Sequence, residues 1–315
     1  MGKPLGILLA FALAFGMVAC SDDPAISTGS TGDPGSTASA ATFPVTVTGT
    51  NGDVTIDARP ERIVSLSPTA TEDLFAIGAG DQVIAADDQS NYPAEAPTTD
   101  LSGFEPNVEA IAGYEPDLVV YATEPGDLGS SLQDLGITAL QLDAAPNLEV
   151  AYDQIEQLGA ATGHTEEAEG LVADMRSQVQ GLVDSADPAS GTSFYFELDD
   201  TYYSVTSRTF IGQLFRMLGL ENIADEVGRG SGGYPQLSAE YIIQSDPDLI
   251  FLADTKCCGQ SPETVADRPG WGGLTAVTDG GVVPLDEDVA QRWGPRVVDL
   301  LRQISDAAAA ESKAA

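Results

Sequence analysis

Short apolar runs recur along the chain, and most are followed by a stretch whose apolar positions have helical spacing. Short strands that alternate with helices are typical of parallel sheets built from βαβ units. The pattern predicts strands at 43–48, 54–56, 63–66, 83–86, 117–121, 137–142, 193–198, 249–252 and 282–285. It predicts helices at 67–77, 108–111, 128–135, 147–162, 165–187, 209–218, 239–244 and 295–310. The predicted fold class is therefore α/β.

One predicted helix is much longer than the others and separates two halves of similar pattern. It begins around Thr165, whose hydroxyl can cap it, and its apolar positions share one helical face. A helix of about 20 residues spans about 30 Å. The segment Glu115-Pro-Asp-Leu-Val-Val of the first half resembles Asp246-Pro-Asp-Leu-Ile-Phe of the second. A common type of helix-to-strand junction would also produce this match. Two related lobes joined by a single long helix would explain both the match and the alternation of strands and helices in each half.

The first residues resemble a secretion signal that ends in a lipid-attachment site. Lys3 gives a short positive region, residues 5–15 are apolar, and a small residue stands directly before Cys20. Met17 stands where bacterial lipoprotein signals usually have leucine. We expect cleavage before Cys20 and acylation of its thiol; an ordinary secretion signal with a chance cysteine is the alternative.

The predicted organisation has five parts. They are a signal peptide at 1–19, a disordered Ser/Thr/Gly-rich tether at 20–42, a first lobe at 43–146, connecting helices at 147–188 and a second lobe at 189–315. No later stretch is long and apolar enough to span a membrane. The expected location is the outer face of the cytoplasmic membrane, where the lipid on Cys20 anchors the protein.

The charge balance and the single histidine disfavour several classes of function. The chain has 13 basic and 49 acidic residues, a formal net charge of −36. Such a polyanion is repelled by phosphates, so nucleic acid is not an expected partner. His164 lies in a predicted turn, and a bare-metal site made of several histidines is not expected. Ser67 lacks both a Gly-x-Ser-x-Gly context and a suitable histidine, so we do not expect a hydrolase or any other enzyme.

Several motifs occur in an order that resembles one known family. They are Arg62-Ile-Val-Ser-Leu-Ser-Pro-Thr-Ala-Thr-Glu, Asn91-Tyr-Pro, Gly103-Phe-Glu-Pro-Asn-Val-Glu-Ala-Ile, Glu115-Pro-Asp-Leu-Val, Arg268-Pro-Gly-Trp-Gly-Gly-Leu and Arg292-Trp-Gly-Pro-Arg. Over about residues 59–305 the chain resembles the class III substrate-binding proteins of ABC importers for cobalamin, iron-siderophore complexes and haem. The resemblance implies two lobes of parallel-rich sheet flanked by helices, one rigid connecting helix and a ligand cleft between the lobes. It also implies a monomer that works with an ABC permease and has no cofactor besides its cargo.

The resemblance carries over a set of ligand-binding positions, most of them aromatic. They are Ser67, Pro68, Tyr92, Phe104 and Tyr121 in the first lobe, and Phe196, Tyr202, Tyr203, Arg208, Tyr234, Trp271, Arg292 and Trp293 in the second. Aromatic walls suit a large flat ligand, and a guanidinium suits the oxygens of an anionic ferric complex. Core packing and pairing with surface carboxylates are the alternative roles. An iron-siderophore complex, cobalamin and haem all remain possible ligands, and the two arginines slightly favour an iron-siderophore complex.

Permease docking is expected to use one glutamate on the top of each lobe, as in the family. Glu240 matches the second-lobe position, and Glu124 and Asp127 are the candidates for the first. Such carboxylates steer association with a basic partner. The alternative for Glu240 is a capping-box role beside Ser238.

The adjacent Cys257 and Cys258 predict either a strained vicinal disulfide or two free thiols. The whole sequence predicts a lipid-anchored extracytoplasmic protein that delivers an iron-siderophore complex or a corrinoid to an ABC permease. The alternative function is a ligand-sensing surface lipoprotein without a transporter.

Overall fold

A hairpin opens the part of the chain that the computed structural model describes, which is residues 42–186 and 191–314. Strand β1 (Val45–Gly49) pairs antiparallel with β2 (Gly52–Ile56). Gly52 has φ +97°, a conformation that side chains with a Cβ rarely adopt, so glycine is required at this turn. The signal peptide, Cys20 and the tether up to residue 41 lie outside the described residues.

The first lobe is built on a four-stranded parallel sheet of order β4-β3-β5-β6. Its strands are β3 (Ile63–Leu66), β4 (Val83–Ala86), β5 (Leu118–Tyr121) and β6 (Thr138–Gln141). Its helices are α1 (Pro68–Ala76), α2 (Val108–Ala112) and α3 (Leu128–Asp134). Every residue of β3 and β5 is buried because helices cover both faces of the sheet.

Two consecutive helices connect the lobes. Helix α4 (Leu148–Thr162) begins at Asn147, whose side chain accepts the Val150 N–H. Helix α5 (Thr165–Ser185) has 21 residues and is the predicted long helix. The expectation that the Thr165 hydroxyl caps α5 is wrong, because the cap position is His164 and Thr165 is already helical.

The second lobe repeats the topology of the first, with a parallel sheet of order β10-β9-β7-β8. Its strands are β7 (Ser193–Glu197), β8 (Glu221–Asn222), β9 (Leu249–Leu252) and β10 (Val282–Pro284). Its helices are α6 (Phe210–Met217), α7 (Ala239–Ser245), α8 (Pro262–Ala266), α9 (Thr275–Thr278), α10 (Glu287–Ala290) and α11 (Val297–Ala314). The prediction of an α/β protein with two lobes of parallel sheet flanked by helices is confirmed.

One apolar core runs through both lobes and the connecting helices. It includes Leu74 of the first lobe, Ile155 of α4, Val172 of α5 and Phe215 of the second lobe. Phe215 stacks on Phe194 with ring centroids 4.1 Å apart. Among the helices of the described residues, none combines the length and the apolarity needed to cross a bilayer.

Candidate ligand-binding cleft

A cavity of about 360 Å³ lies between the lobes. The carboxyl ends of parallel strands share one edge of a sheet, so the loops that follow β3, β4 and β5 converge on it. The second lobe contributes α10 and the residues just after it. The lining consists of Leu66, Ser67, Pro68, Thr69, Asp87, Gln89, Gly103, Phe104, Ala122 and Thr123 from the first lobe, and Asp288, Gln291, Arg292 and Trp293 from the second.

Five predicted ligand-binding residues line this cavity. They are Ser67, Pro68, Phe104, Arg292 and Trp293. Ser67 also caps α1, since its hydroxyl accepts the Ala70 N–H at 3.3 Å. Phe104 is 71% exposed, which is unusual for a phenylalanine and leaves its ring available to a ligand.

Residues 286–296, which we call the strap, run from the second sheet across to the first lobe. Trp293 Nε1 donates to Gln154 Oε1 of α4 at 2.8 Å. Asn91 Nδ2 of the first lobe donates to Asp288 Oδ2 at 2.9 Å. The strap therefore forms a second connection between the lobes, in addition to α4 and α5.

A buried ion cluster fastens the strap to α1. The Glu72 carboxylate is 2% exposed and accepts from Arg292 Nη1 at 2.7 Å and from Arg296 Nε at 2.8 Å. Arg292 also donates to the carbonyl oxygen of Gln89 at 2.9 Å. The Arg296 guanidinium lies 4.2 Å from the centre of the Tyr92 ring. Tyr92, expected to bind ligand, thus lies against Arg296 and outside the cavity lining.

Sequence reasoning missed Glu72, although a signal was present. The residue lies within α1, next to the buried apolar residues Ala70 and Leu74 of the same helix. A buried carboxylate requires a buried cation or several hydrogen-bond donors. The two arginines of the quoted Arg292-Trp-Gly-Pro-Arg motif were therefore its natural partners.

Three aromatics that were expected to bind ligand lie in the protein core instead. Tyr121, Phe196 and Trp271 are each at most 1% exposed. Tyr121 ends β5 and Phe196 lies inside β7, where helices cover both sides of the sheets. Trp271 packs on the partly buried Tyr202, with ring centroids 5.7 Å apart, and neither ring is part of the cavity lining.

Tyr203, Tyr234 and Arg208 lie in second-lobe loops that are exposed to solvent. Arg208 donates one hydrogen bond, to the Gly228 carbonyl oxygen at 3.1 Å. These side chains follow the carboxyl end of β7 in the chain, but they are not part of the cavity lining. Their role in binding stays a prediction.

The second lobe has its own buried polar cluster at the ends of β7 and β9. Arg268 forms two hydrogen bonds with Glu197, at 2.7 and 2.5 Å. Both carboxylate oxygens of the buried Asp254 are without a hydrogen-bond partner in the described part of the chain. Burial and the Glu197 charge raise the pKa of Asp254 to about 7.

The adjacent cysteines are free thiols in the structure. Local desolvation, the Cys258 thiol and the Glu287 carboxylate raise the pKa of Cys257 to about 12. Glu287 also accepts the backbone N–H of Cys257 at 3.0 Å. Within the described residues, no group of three or more His, Cys, Asp or Glu side chains is placed to hold a metal ion.

The proposed docking glutamates differ in their surroundings. Glu240 is exposed in the first turn of α7, where the Ser238 hydroxyl accepts the Tyr241 N–H. Glu240 takes no part in that capping bond. Glu124 is also exposed, but it accepts the Gly129 N–H at 3.0 Å within its own loop. Asp127 is exposed at the start of α3.

A residue that sequence reasoning missed matches Glu240 more closely than Glu124 or Asp127 does. The repeat that pairs Glu115 with Asp246 can be extended towards the N-terminus without a gap. It then aligns Glu109 with Glu240 and Asn107 with Ser238. Asn107 caps α2 as Ser238 caps α7, and Glu109 is exposed in the first turn. The two glutamates therefore occupy the same place in their lobes.

The chain is similar to known proteins over most of its length. The profile described as periplasmic binding protein matches residues 63–289. An uncharacterised ABC transporter substrate-binding lipoprotein of Bacillus subtilis is 30% identical over 317 residues, which cover 97% of each chain. A cobalamin-binding protein of Halobacterium salinarum is 31% identical over 278 residues, 85% of this chain and 75% of the relative.

The solved structures show the same fold. The vitamin B12-binding protein of Vibrio cholerae has a TM-score of 0.66 at 26% identity, covering 81% of this chain and 98% of its own. The haem-binding protein of Roseiflexus sp. RS-1 has a TM-score of 0.69 at 23% identity, covering 79% of this chain and 99% of its own. The matched region spans both lobes and the cavity between them, and the chain belongs to the periplasmic binding protein family, as the substrate-binding protein of an ABC transporter.

Proposed function

We propose that this protein captures a cobalamin-type corrinoid in the cavity between its lobes and delivers it to an ABC permease. The choice of ligand rests on one observation, which is that Arg292 is already bound to groups of the protein itself. Among the described residues that line the cavity, Arg292 is the one basic side chain. Its guanidinium is bound to Glu72, to the Gln89 carbonyl oxygen and, at 3.5 Å, to Asp288.

An anionic ferric complex would therefore find no unpaired cation in this lining. Burying its charge without a partner is unfavourable. A corrinoid makes no such demand, because its rim carries neutral amides. The cobalamin-binding relative from Halobacterium supports the same choice.

The exposed Phe104 ring provides an apolar surface for a flat macrocycle. The cavity is near the small end of the range for ligand pockets, so one edge of a corrinoid would fill it. The rest of the ligand would lie towards the exposed loops that carry Tyr203 and Tyr234.

Calorimetric titration of the purified protein with cobalamin, haem, a ferric catecholate and a ferric hydroxamate tests this assignment. We expect saturable binding of cobalamin and none of the catecholate. Phe104→Ala should weaken cobalamin binding about tenfold through lost apolar contact. Phe43→Ala, far from the cavity in the chain, serves as the control. Saturable catecholate binding without cobalamin binding would contradict the proposal.

We infer further that Glu109 and Glu240 are the carboxylates that dock to the permease. Helices that connect parallel strands begin at the carboxyl edge of the sheet, so both glutamates lie at the edge that faces the other lobe. A matched pair of exposed carboxylates suits a partner with basic patches, and it sets orientation and association rate more than affinity.

Uptake of labelled cobalamin by cells that carry Glu109→Lys or Glu240→Lys tests the docking role. Each reversal should reduce uptake severalfold while cobalamin binding by the purified protein stays unchanged. Glu169→Lys, an exposed glutamate on α5, is the control for the charge change. Normal uptake by both reversal variants would count against docking through these two carboxylates.

Lipid anchoring at Cys20 completes the proposal. The relative from Bacillus subtilis, described as a lipoprotein, supports it. Cys20→Ala should move the protein from the membrane fraction to the soluble fraction. Retention of this variant in the membrane fraction would argue against anchoring by acylation.

A further inference from the structure

We propose that Asp87 makes the cavity selective for a neutral hydrogen-bond donor, such as a primary amide, over a carboxylate at the same position of the ligand. This inference rests on the proposed corrinoid function. It identifies Asp87 as the residue that would distinguish closely related corrinoids.

Asp87 is placed at the cavity wall by the end of β4. The residue follows the last residue of the strand and is 3% exposed. Its Oδ1 accepts the Ser90 hydroxyl at 2.6 Å, and that hydroxyl lies 2.8 Å from Thr71 Oγ1. The hydrogen bonds among the described residues leave Oδ2 unused. The carboxyl group is thus held in one orientation by Oδ1.

Gly103 shows where Oδ2 points. A Cβ on Gly103, which itself lines the cavity, would be 2.8 Å from Asp87 Oδ2 and 2.6 Å from the Leu66 carbonyl oxygen. Because Gly103 has no side chain, its backbone can pack closely against this oxygen, and Asp87 itself is part of the cavity lining. An acceptor that is fixed, unused and on the wall can recognise a donor on the ligand.

The charges around Asp87 give a ligand carboxylate no compensation. Burial and the neighbouring Asp88 raise the pKa of Asp87, whereas the Ser90 hydrogen bonds and the Arg292 charge lower it. Arg292 is already paired with Glu72, and Lys256 is held by Asp286 and Asp288. The basic groups near the cavity are therefore matched by carboxylates of the protein.

A ligand carboxylate beside Oδ2 would have to bury a like charge or take up a proton. A primary amide would instead donate its N–H. Cobalamin allows this difference to be measured, because hydrolysis of one rim propionamide replaces NH₂ by O⁻ with almost no change of shape. Three isomers with a single hydrolysed propionamide can be tested separately.

The experiment measures Kd for cobalamin and for each of the three monocarboxylates, with the wild type, Asp87→Asn and Asp88→Asn. We expect the wild type to bind at least one isomer about tenfold or more weakly than cobalamin. Asp87→Asn should bring that ratio close to one, because an asparagine can donate to a carboxylate. Asp88→Asn is the matched control, since it removes an exposed charge one position away and should leave the ratio unchanged.

The asparagine at position 87 retains the Oδ1 acceptor for Ser90, so we expect the variant to fold. The ratios of the Kd values measured with the wild type test the proposal even without this variant. If all three monocarboxylates bind the wild type as tightly as cobalamin, or if both variants change the ratio equally, the role of Asp87 is overturned while the corrinoid function stands. Absence of cobalamin binding to the wild type would overturn both.

Discussion

Glu72 shows how a single buried carboxylate can be essential to this structure. Its two oxygens face two arginines of the strap in a nearly water-free environment. Removal of one partner from such a cluster leaves charges buried and unpaired. The exposed pair of Arg176 and Glu149 has an equally short contact of 2.6 Å, but water can replace either partner.

The two ion pairs should therefore differ strongly in their contribution to stability. Glu72→Ala should lower the free energy of unfolding by about 3–5 kcal/mol, because Arg296 loses its carboxylate partner and Arg292 keeps only the longer carboxylate contact with Asp288. Glu149→Ala should lower it by less than about 1 kcal/mol. Urea unfolding followed by circular dichroism measures both. Equal losses for the two variants would show that burial does not govern these interactions.

Asp254 should make stability depend on pH. Its pKa is about 7 in the folded protein against 3.8 as the ordinary value, so the folded state holds the proton more tightly than the unfolded chain. The contribution of the protonated group is complete below pH 4 and is lost as pH rises through 7. Asp254→Asn should remove this loss of unfolding free energy at high pH. Urea unfolding at pH 5 and pH 8 compares the wild type with the variant. If the unfolding free energy of the variant decreases by the same amount, other titratable groups cause the decrease.

Helices α4 and α5 show how one glycine sets the distance between two elements. A Cβ on Gly159 of α4 would lie 2.4 Å from the Cβ of Ala168 on α5, which is closer than two carbons can approach. Gly170 lies on α5, and a Cβ at this position would have open space around it. The same substitution should thus have opposite effects at the two positions.

Gly159→Ala should destabilise the protein by about 1–3 kcal/mol, because α4 and α5 must separate. Gly170→Ala should stabilise it by about 0.5–1 kcal/mol through the higher helix propensity of alanine. Thermal or urea unfolding of both variants provides the comparison. A stabilising Gly159→Ala would mean that the two helices can move apart without loss.

Most helices and strands were predictable from sequence, but several of the shortest were not. Helix α5 starts at the predicted residue because its apolar positions repeat over many turns. Elements of only a few residues, such as β8, α9 and α10, were missed because they are too short to show a period.

Both lobes share one apolar core at the scale of the whole molecule. The core passes from the first lobe through α4 and α5 into the second, and the strap adds polar contacts across the cleft. Lobes joined in this way should unfold as one cooperative unit. We expect a single calorimetric transition whose van't Hoff and calorimetric enthalpies agree. Two resolved transitions would show that the lobes are independent.

The site was only partly predictable because it depends on contacts between distant segments. Ser67 and Phe104 belong to family motifs and line the cavity, and their role in ligand binding stays a prediction. Trp271 was expected to bind ligand because it lies in a family motif, yet its ring is buried and packs on Tyr202. The ion pair of Arg292 with Glu72 joins residues far apart in the chain, so the position of Glu72 within a helix could indicate a need for a cation but not which arginine supplies it.

The internal repeat has a consequence for encounter with the permease. Glu109 and Glu240 hold equivalent positions in lobes of the same topology, so an exchange of the two lobes would bring one carboxylate to the place of the other. A partner with two equivalent basic patches would accept the molecule in either of two orientations. This degeneracy doubles the number of productive encounters, which corresponds to about 0.4 kcal/mol of association free energy without any additional contact.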